Sequence, residues 1–197
     1  MVDLPALSAQ AFPKLPYGSE AVVFDTETTG CAVGDRVVSL GALRLDSGLE
    51  VVDSLHLVFA PGRPCHPGAA RVHGMSDRFL ARQPRFEVHA REIARFFGGA
   101  VACAHNLSFD RRMLAREYAL LGQPLPWSED YCTLRAWRRF RPGEKAGLAN
   151  ASATLGLGRD TALHGALEDA ALAAQLLRVL HGQPPGQTRL HPPTNLR

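Results

Sequence analysis

Three strand-like segments follow one another in residues 20–59, and this succession is the feature that most constrains the fold. Segments 36–45 and 49–59 are separated by Asp46-Ser47-Gly48, a sequence that is typical of a tight hairpin turn. We therefore expect an antiparallel meander of three strands. Because later segments alternate between helical and strand-like patterns, the sequence predicts an α/β domain with a mixed sheet.

The rest of the chain divides into shorter predicted elements. Residues 66–85 are expected to form short helical turns, with Ser76 as an N-cap. The predicted helices are 86–97, a helix capped by Ser108, 135–140, 147–155 and 165–180, and the predicted strands are 100–104 and 130–134. We expect an N-terminal arm at 1–19, one folded domain at 20–181 and a flexible tail at 182–197.

The first strand runs into two acids that are separated by one residue. Positions i and i+2 of a strand point to the same side, so Asp25 and Glu27 are expected to face one point. Two like charges held this close repel each other unless a cation lies between them, which suggests a metal site made of oxygen ligands. The alternative is a solvated strand end followed by a Thr-Gly turn.

Two later segments carry further candidates for the same site. Asp110 follows the buried strand 100–104 and falls in the first turn of a helix, where an acid also suits the helix dipole. Asp169 lies on a helix that is otherwise rich in Ala and Leu. His164 and Asp169 are five residues apart, so they converge only if His164 lies on the loop before that helix.

Composition limits the class of protein. The 197 residues are 46% hydrophobic, which is enough for a sizeable core, and no apolar run is long enough to span a membrane. No signal-peptide pattern is present at the N-terminus, so we expect a soluble, cytoplasmic protein without membrane partners. The net charge of +3 permits an anionic partner without requiring one. The four cysteines form no CxxC pair, which favours reduced thiols.

Taken together, the segments DTETTG, HNLSFD and HGALEDA resemble the motifs of the DnaQ-like 3′–5′ exonucleases of the DEDDh class. The segment VHGMSD at 72–77 is similar to a further family motif, and the resemblance covers about residues 20–181. It implies a ribonuclease H-like fold, with a mixed five-stranded sheet of three antiparallel and then two parallel strands flanked by helices.

The resemblance also implies roles for the catalytic residues. Asp25, Glu27, Asp110 and Asp169 would hold two Mg²⁺ or Mn²⁺ ions, and oxygen-only ligation argues against zinc. Asp25 would bridge the ions, and His164 would act as the general base that takes a proton from the attacking water.

Substrate contacts follow from the same resemblance. Thr26 and Thr28 are expected to offer main-chain N–H groups to the terminal 3′-OH, while Phe109 and His73 contact the terminal bases, with Asn106 nearby. Core packing is the alternative role of Phe109. A basic run that includes Arg135, Arg138, Arg139, Arg141 and Lys145 is a candidate for backbone phosphate contacts, although such runs are usually solvated faces.

The implied activity is removal of nucleotides from the 3′ end of DNA, with single strands preferred, in repair or replication proofreading. Two alternatives stay open: an exoribonuclease that trims RNA 3′ ends, and a non-catalytic domain that binds nucleic acid or a polymerase. Proofreading subunits of this family commonly attach to a DNA polymerase through an extension after the catalytic domain. Because only the short tail 183–197 follows here, two possibilities stay open: a free-standing exonuclease, and an enzyme with a DNA polymerase as its partner.

Overall fold

A mixed five-stranded sheet forms the centre of the molecule. The computed structural model describes residues 14–16, 18–158 and 165–186. Strands β1 (Ala21–Thr28), β2 (Val37–Leu45), β3 (Val51–Val58), β4 (Val101–Ala104) and β5 (Asp130–Cys132) lie in the order β3-β2-β1-β4-β5. The first three pair antiparallel, whereas β4 pairs parallel to β1 and β5 parallel to β4. The predicted sheet is confirmed, and its parallel strands end near one another at one edge.

The described residues form seven helices that connect or cover the strands. They are α1 (Pro67–His73), α2 (Asp77–Leu80), α3 (Phe86–Phe97), α4 (Leu107–Leu120), α5 (Thr133–Phe140), α6 (Leu148–Thr154) and α7 (Ala166–Leu180). Ser76 caps α2 as predicted, because its hydroxyl accepts from the N–H of Phe79. Within the described part of the chain, no helix is long and apolar enough to cross a membrane.

The predicted capping role of Ser108 is wrong. Helix α4 begins at Leu107, two residues earlier than a Ser108 cap would place it, and Asn106 occupies the N-cap position with a left-handed backbone at φ 69°. An Asn tolerates this conformation better than most residues, so the chain turns sharply from β4 into the helix. The Ser108 hydroxyl lies inside the first turn and donates to Oδ1 of Asn106 at 3.3 Å.

Side chains alternate in direction along each strand, so the core is divided between the two faces of the sheet. Val23 and Leu43 pack on one face with the apolar side chains of α7. Val22, Phe24 and Leu40 pack on the other face with residues of α3 and α4. Helix α7 is buried along most of its length because it lies directly against β1 and β2.

The predicted arm and tail lie only partly within the described residues. Residues 1–13, 17 and 187–197 are outside the described ranges. The N–H of Leu15 donates to Nε2 of His181 at 3.0 Å, and Nε2 of Gln183 donates to the carbonyl of Gly48 at 2.9 Å. Both ends therefore contact the domain where they are described, and the proposed domain boundaries stay predictions.

A buried ion pair joins β2 to α4. The Glu117 carboxylate accepts from Nε and Nη2 of Arg36 at 2.8 and 2.7 Å, and also from the N–H of Val37 at 3.0 Å. Its side chain is 1% exposed, so water cannot replace these donors. The pair fixes α4, which carries Asp110, against the start of β2.

Removal of this carboxylate is expected to destabilise the protein. Glu117→Ala leaves the Arg36 guanidinium and a buried N–H without their acceptor, and breaking such a pair costs about 2–4 kcal/mol. Urea unfolding measures the change in the free energy of unfolding. Glu144→Ala is the control, because the exposed Glu144 carboxylate pairs with Arg141 alone among the residues that the structure describes. A loss below about 0.5 kcal/mol for Glu117→Ala would contradict the assigned role.

Candidate active site

Three carboxylates meet where β1 ends. Asp25 and Glu27 lie on one side of β1, and Asp169 lies in the first turn of α7. One oxygen from each of the three lies within 4.8 Å of the others. Glu27 and Asp169 are buried and Asp25 is half-buried. The structure thus brings together three of the four predicted metal ligands.

Gly41 allows α7 to come this close to the sheet. It pairs with Asp25 across the β1–β2 ladder, and a Cβ atom at this position would lie 2.1 Å from the backbone nitrogen of Leu167. No side chain fits there, so the backbone of the first helical turn rests directly on β2. Sequence reasoning missed this residue, and its only signal was a glycine inside a strand-like segment.

Asp110 lies beside the three carboxylates rather than among them. Its side chain is almost fully buried in the first turn of α4, and its Oδ1 accepts from the N–H of Thr26 at 3.0 Å and from the Thr26 hydroxyl at 2.7 Å. Burial raises the pKa of Asp110 to about 7, and the charge of Asp169 acts in the same direction. The hydrogen bonds from Thr26 oppose this shift without cancelling it.

The donor set fits a hard divalent cation. Three carboxylates within 4.8 Å carry like charges, and Asp169 adds to the cost of ionising Asp110. A cation among them removes this repulsion, and carboxylate oxygens are the ligands that Mg²⁺ and Mn²⁺ prefer.

The raised pKa predicts an unusual pH dependence for the metal-free protein. The folded pKa of Asp110 is about 7, well above its unfolded value near 3.9, so the folded state binds the extra proton between these values. Stability from this group is greatest at low pH and is lost as the pH rises to about 7. Asp110→Asn keeps an acceptor for Thr26 but does not ionise. In EDTA, we expect the free energy of unfolding of wild type to fall by on the order of 2–4 kcal/mol, relative to that of Asp110→Asn, between pH 4 and pH 8.

Urea unfolding of both proteins across this pH range measures the difference. With saturating metal the trend is expected to disappear, since metal ligation favours the ionised carboxylate. If the two proteins differed by a constant free energy of unfolding from pH 4 to pH 8 in EDTA, this would contradict a raised pKa of Asp110.

His164 lies outside the described residues, so its role as general base stays a prediction. The following residue, Gly165, is the N-cap of α7 in an extended conformation, and the helix begins at Ala166. His105, by contrast, uses both ring nitrogens within the fold, with Thr133 Oγ1 at 3.0 Å and the Ala146 carbonyl at 2.8 Å.

A cleft of about 840 Å³ opens next to the carboxylates. It is lined by the end of β1, the loop after β1, several residues between 63 and 72, and Phe109. Of the predicted substrate residues, Thr26, Thr28 and Phe109 line this cleft. The Phe109 ring is half-buried and has the Arg112 guanidinium 5.4 Å from its centroid. The cleft is therefore open to a ligand that also reaches Glu27.

The other predicted substrate contacts occupy different positions. His73 is 6% exposed, does not line the cleft, and accepts from the N–H of Met75 through Nδ1. Asn106 is exposed at the start of α4, also outside the cleft lining. The N–H of Thr26 donates to Asp110, so it is already engaged without a substrate. On the basic run, Arg135, Arg138 and Arg139 are exposed, and Arg141 pairs with Glu144 at 3.3 Å.

Comparisons with known proteins agree with this geometry. The RNase_T exonuclease family model matches residues 22–177. DNA polymerase III subunit epsilon of Haemophilus influenzae is 32% identical over 180 residues, which cover 86% of this chain and 69% of the relative.

Solved exonuclease structures are also similar to this one. Exonuclease X in complex with 5′ overhanging duplex DNA has a TM-score of 0.66 at 28% identity, over 82% of this chain and 91% of that chain. Escherichia coli exonuclease I in complex with a dT13 oligonucleotide has a TM-score of 0.75 at 18% identity, over 84% of this chain and 41% of that chain. The latter similarity supports the ribonuclease H-like fold.

Proposed function

Because the chain belongs to the RNase_T exonuclease family and is DnaQ-like, we propose that it is a metal-dependent 3′–5′ exonuclease. It hydrolyses phosphodiester bonds at DNA 3′ ends, with single strands preferred, and releases nucleoside 5′-monophosphates. The observation that carries this proposal is the cluster of Asp25, Glu27 and Asp169 at the edge of an open cleft, with Asp110 beside it.

Four carboxylates would hold two Mg²⁺ or Mn²⁺ ions. When bound, such ions stabilise the charge that develops on the attacking and leaving oxygens during displacement at phosphorus. The protein supplies the ligand geometry: β1 aligns Asp25 and Glu27, and the close approach of α7 brings Asp169 to them. Glu27 also lines the cleft, so a substrate bound there lies next to the cluster.

Other residues of the chain act on the substrate and its protons. We assign His164 as the general base that accepts the proton of the attacking water, which requires a pKa near neutrality. Phe109 offers a half-buried ring in the cleft, which suits stacking against a terminal base. Thr28 also lines the cleft, where it is proposed to contact the 3′ terminus.

DNA is the proposed substrate because of the relatives. The similar exonuclease X was solved with 5′ overhanging duplex DNA, whose 3′ ends are recessed, and the epsilon relative is named as a subunit of a DNA polymerase. A DNA polymerase is accordingly a proposed partner. RNA 3′ ends are the second candidate substrate.

A substrate comparison tests the proposal. Purified protein is incubated with matched single-stranded DNA, single-stranded RNA and duplex DNA with recessed 3′ ends, in Mg²⁺, Mn²⁺ or EDTA. Chromatography is expected to detect nucleoside 5′-monophosphates in both metals, fastest from single-stranded DNA, and none in EDTA. Faster release from RNA would favour the exoribonuclease alternative, and no release from any substrate would contradict nuclease function.

The Thr26 hydroxyl is expected to support turnover by fixing Asp110. Thr26→Val has a similar shape but loses the 2.7 Å hydrogen bond to Oδ1, and we expect kcat to fall about tenfold while KM changes little. Thr26→Ser keeps the hydroxyl and is the matched control, with near wild-type kcat. Steady-state kinetics on single-stranded DNA measure both. Equal kcat values for the Val and Ser variants would show that the hydroxyl does not act through Asp110.

A further inference from the structure

Two arginine side chains converge at the loop between β1 and β2. Arg63 lines the cleft, and Arg116 lies on α4. A Cβ atom on Gly34 would lie 3.0 Å from Nη1 of Arg63 and 3.9 Å from Nη2 of Arg116. The two nitrogens are therefore at most 6.9 Å apart, the sum of 3.0 and 3.9 Å. Two oxygens of one phosphate can span this separation with one N–H···O hydrogen bond to each guanidinium.

Asp35 is the carboxylate that the described contacts place against both arginines. Asp35 pairs with Nη1 of Arg63 at 3.5 Å, and Arg116 acts on Asp35 electrostatically. The Asp35 side chain is 8% exposed and accepts from the Thr29 hydroxyl at 2.8 Å and from the N–H of Ala32 at 2.7 Å. Asp35 is thus held inside the loop, where its single negative charge faces two guanidinium groups.

The charge of Asp35 is fixed by these same contacts. Burial alone would raise the pKa of this carboxyl. The hydrogen bonds from Thr29 and Ala32, together with the charges of Arg63 and Arg116, outweigh burial and hold the pKa below its usual value. Asp35 is therefore ionised at neutral pH, and it positions Arg63 at the wall of the cleft.

A nearby arginine shows what a purely structural role looks like. Arg36 donates twice to Glu117 at 2.7–2.8 Å, and it also donates to the Pro61 carbonyl. Within the described residues, Arg63 makes only the long pair with Asp35, and no hydrogen bond is recorded for the Arg116 side chain. Arg63 is also 43% exposed. Most N–H donors of Arg63 and Arg116 thus stay available to a ligand.

We propose that Arg63 and Arg116 together bind a backbone phosphodiester of the substrate strand, other than the one hydrolysed at the carboxylates. This inference rests on the proposed nuclease function. The cleft is lined by both Glu27 and Arg63, and Arg116 lies beside Arg63 at Gly34, outside the cleft lining. A strand bound in the cleft therefore meets the carboxylates and Arg63, and its backbone reaches Arg116 where it leaves the cleft. Planar guanidinium groups suit phosphate oxygens because they donate two parallel hydrogen bonds.

Binding without hydrolysis tests the pair directly. Fluorescence anisotropy in EDTA measures the Kd of a labelled single-stranded hexadeoxynucleotide across a range of salt concentrations. Arg63→Ala and Arg116→Gln are each expected to raise Kd about tenfold and to reduce the slope of log K against log salt by about 0.7. Arg91→Ala on the exposed face of α3 is the matched control and should change neither quantity.

Neutral linkages identify the group that is bound. A series of hexamers is prepared in which one methylphosphonate linkage replaces a different phosphodiester in each. Wild type should bind about tenfold more weakly to the one hexamer whose neutral linkage replaces the phosphodiester that the arginines bind. The Arg116→Gln variant should be insensitive at that same position. Thymidine 5′-p-nitrophenyl phosphate has a single phosphodiester, so both variants should hydrolyse it in Mg²⁺ at the wild-type rate. If wild type itself does not hydrolyse any substrate, the nuclease function fails independently of the binding result.

Three results would overturn the inference. The first is an unchanged Kd and salt slope in folded variants, as checked by thermal unfolding. The second is a loss of affinity in the variants that no single methylphosphonate reproduces. The third is a loss that depends on the identity of the terminal base, which would assign the arginines to a base edge. If Arg63→Ala does not fold, Arg116→Gln decides the question, because the Arg116 side chain makes no hydrogen bond to residues 14–16, 18–158 or 165–186, which the structure describes.

Discussion

Asp169→Asn and Asp25→Asn are each expected to lower turnover on single-stranded DNA by at least about a thousandfold. Each variant replaces a negative ligand oxygen in a cluster whose three carboxylates lie within 4.8 Å. Loss of the charge weakens metal binding and removes stabilisation of the transition state, and effects of this kind reach about 10³-fold or more. Steady-state kinetics in saturating Mg²⁺ and Mn²⁺ measure the loss.

Glu168→Gln is the matched control for Asp169→Asn. Glu168 is the neighbouring acid in the first turn of α7, is less buried, and does not belong to the cluster. It should keep near wild-type turnover. Isothermal titration with Mn²⁺ gives a second readout, in which Asp25→Asn and Asp169→Asn bind metal more weakly than wild type. Turnover within threefold of wild type for Asp169→Asn would exclude it as a ligand.

Gly41→Ala is expected to damage both stability and turnover. The new methyl group would lie 2.1 Å from the backbone nitrogen of Leu167 and 2.3 Å from the carbonyl carbon of Ala166. Backbone atoms cannot move aside as a flexible side chain can, so the first turn of α7 must shift away from β2. Overpacking of this kind costs about 1–3 kcal/mol, and the shift carries Asp169 away from Asp25.

We expect the folded Gly41→Ala protein to turn over at least tenfold more slowly and to bind Mn²⁺ more weakly. Urea unfolding, kinetics and metal titration separate the two effects. Gly147→Ala is the control, because its Cβ would meet nothing nearer than 3.5 Å and its φ of −61° suits alanine. If Gly41→Ala lost stability but kept wild-type metal affinity and turnover, Gly41 would serve packing alone.

The strands and their acids could be predicted because their signals are local. Alternation along a strand fixes which residues share a side, so Asp25 and Glu27 were expected to face one point. Buried segments bounded by turn residues likewise predicted the meander and the parallel strands. The start of α4 was missed because a left-handed Asn106 turns the chain before Ser108. Such a conformation has only a weak signature in sequence.

The contacts that complete the site could not be predicted, because they join distant parts of the chain. Gly41 matters only through its packing against α7, and Thr26 only through Asp110, which lies 84 positions further along the chain. Arg63 and Arg116 converge because of where a loop and a helix meet in the fold. Resemblance to a family supplied the order of the four acids, but not these supporting contacts.

A time course on a 5′-labelled single-stranded deoxyoligonucleotide tests the central claim most directly. In Mg²⁺, wild type should give a ladder of labelled products that shorten by one nucleotide at a time, and EDTA or Asp169→Asn should leave the substrate intact. Immediate release of the label as a mononucleotide, or shortening that continues in EDTA, would contradict a metal-dependent exonuclease that acts from the 3′ end.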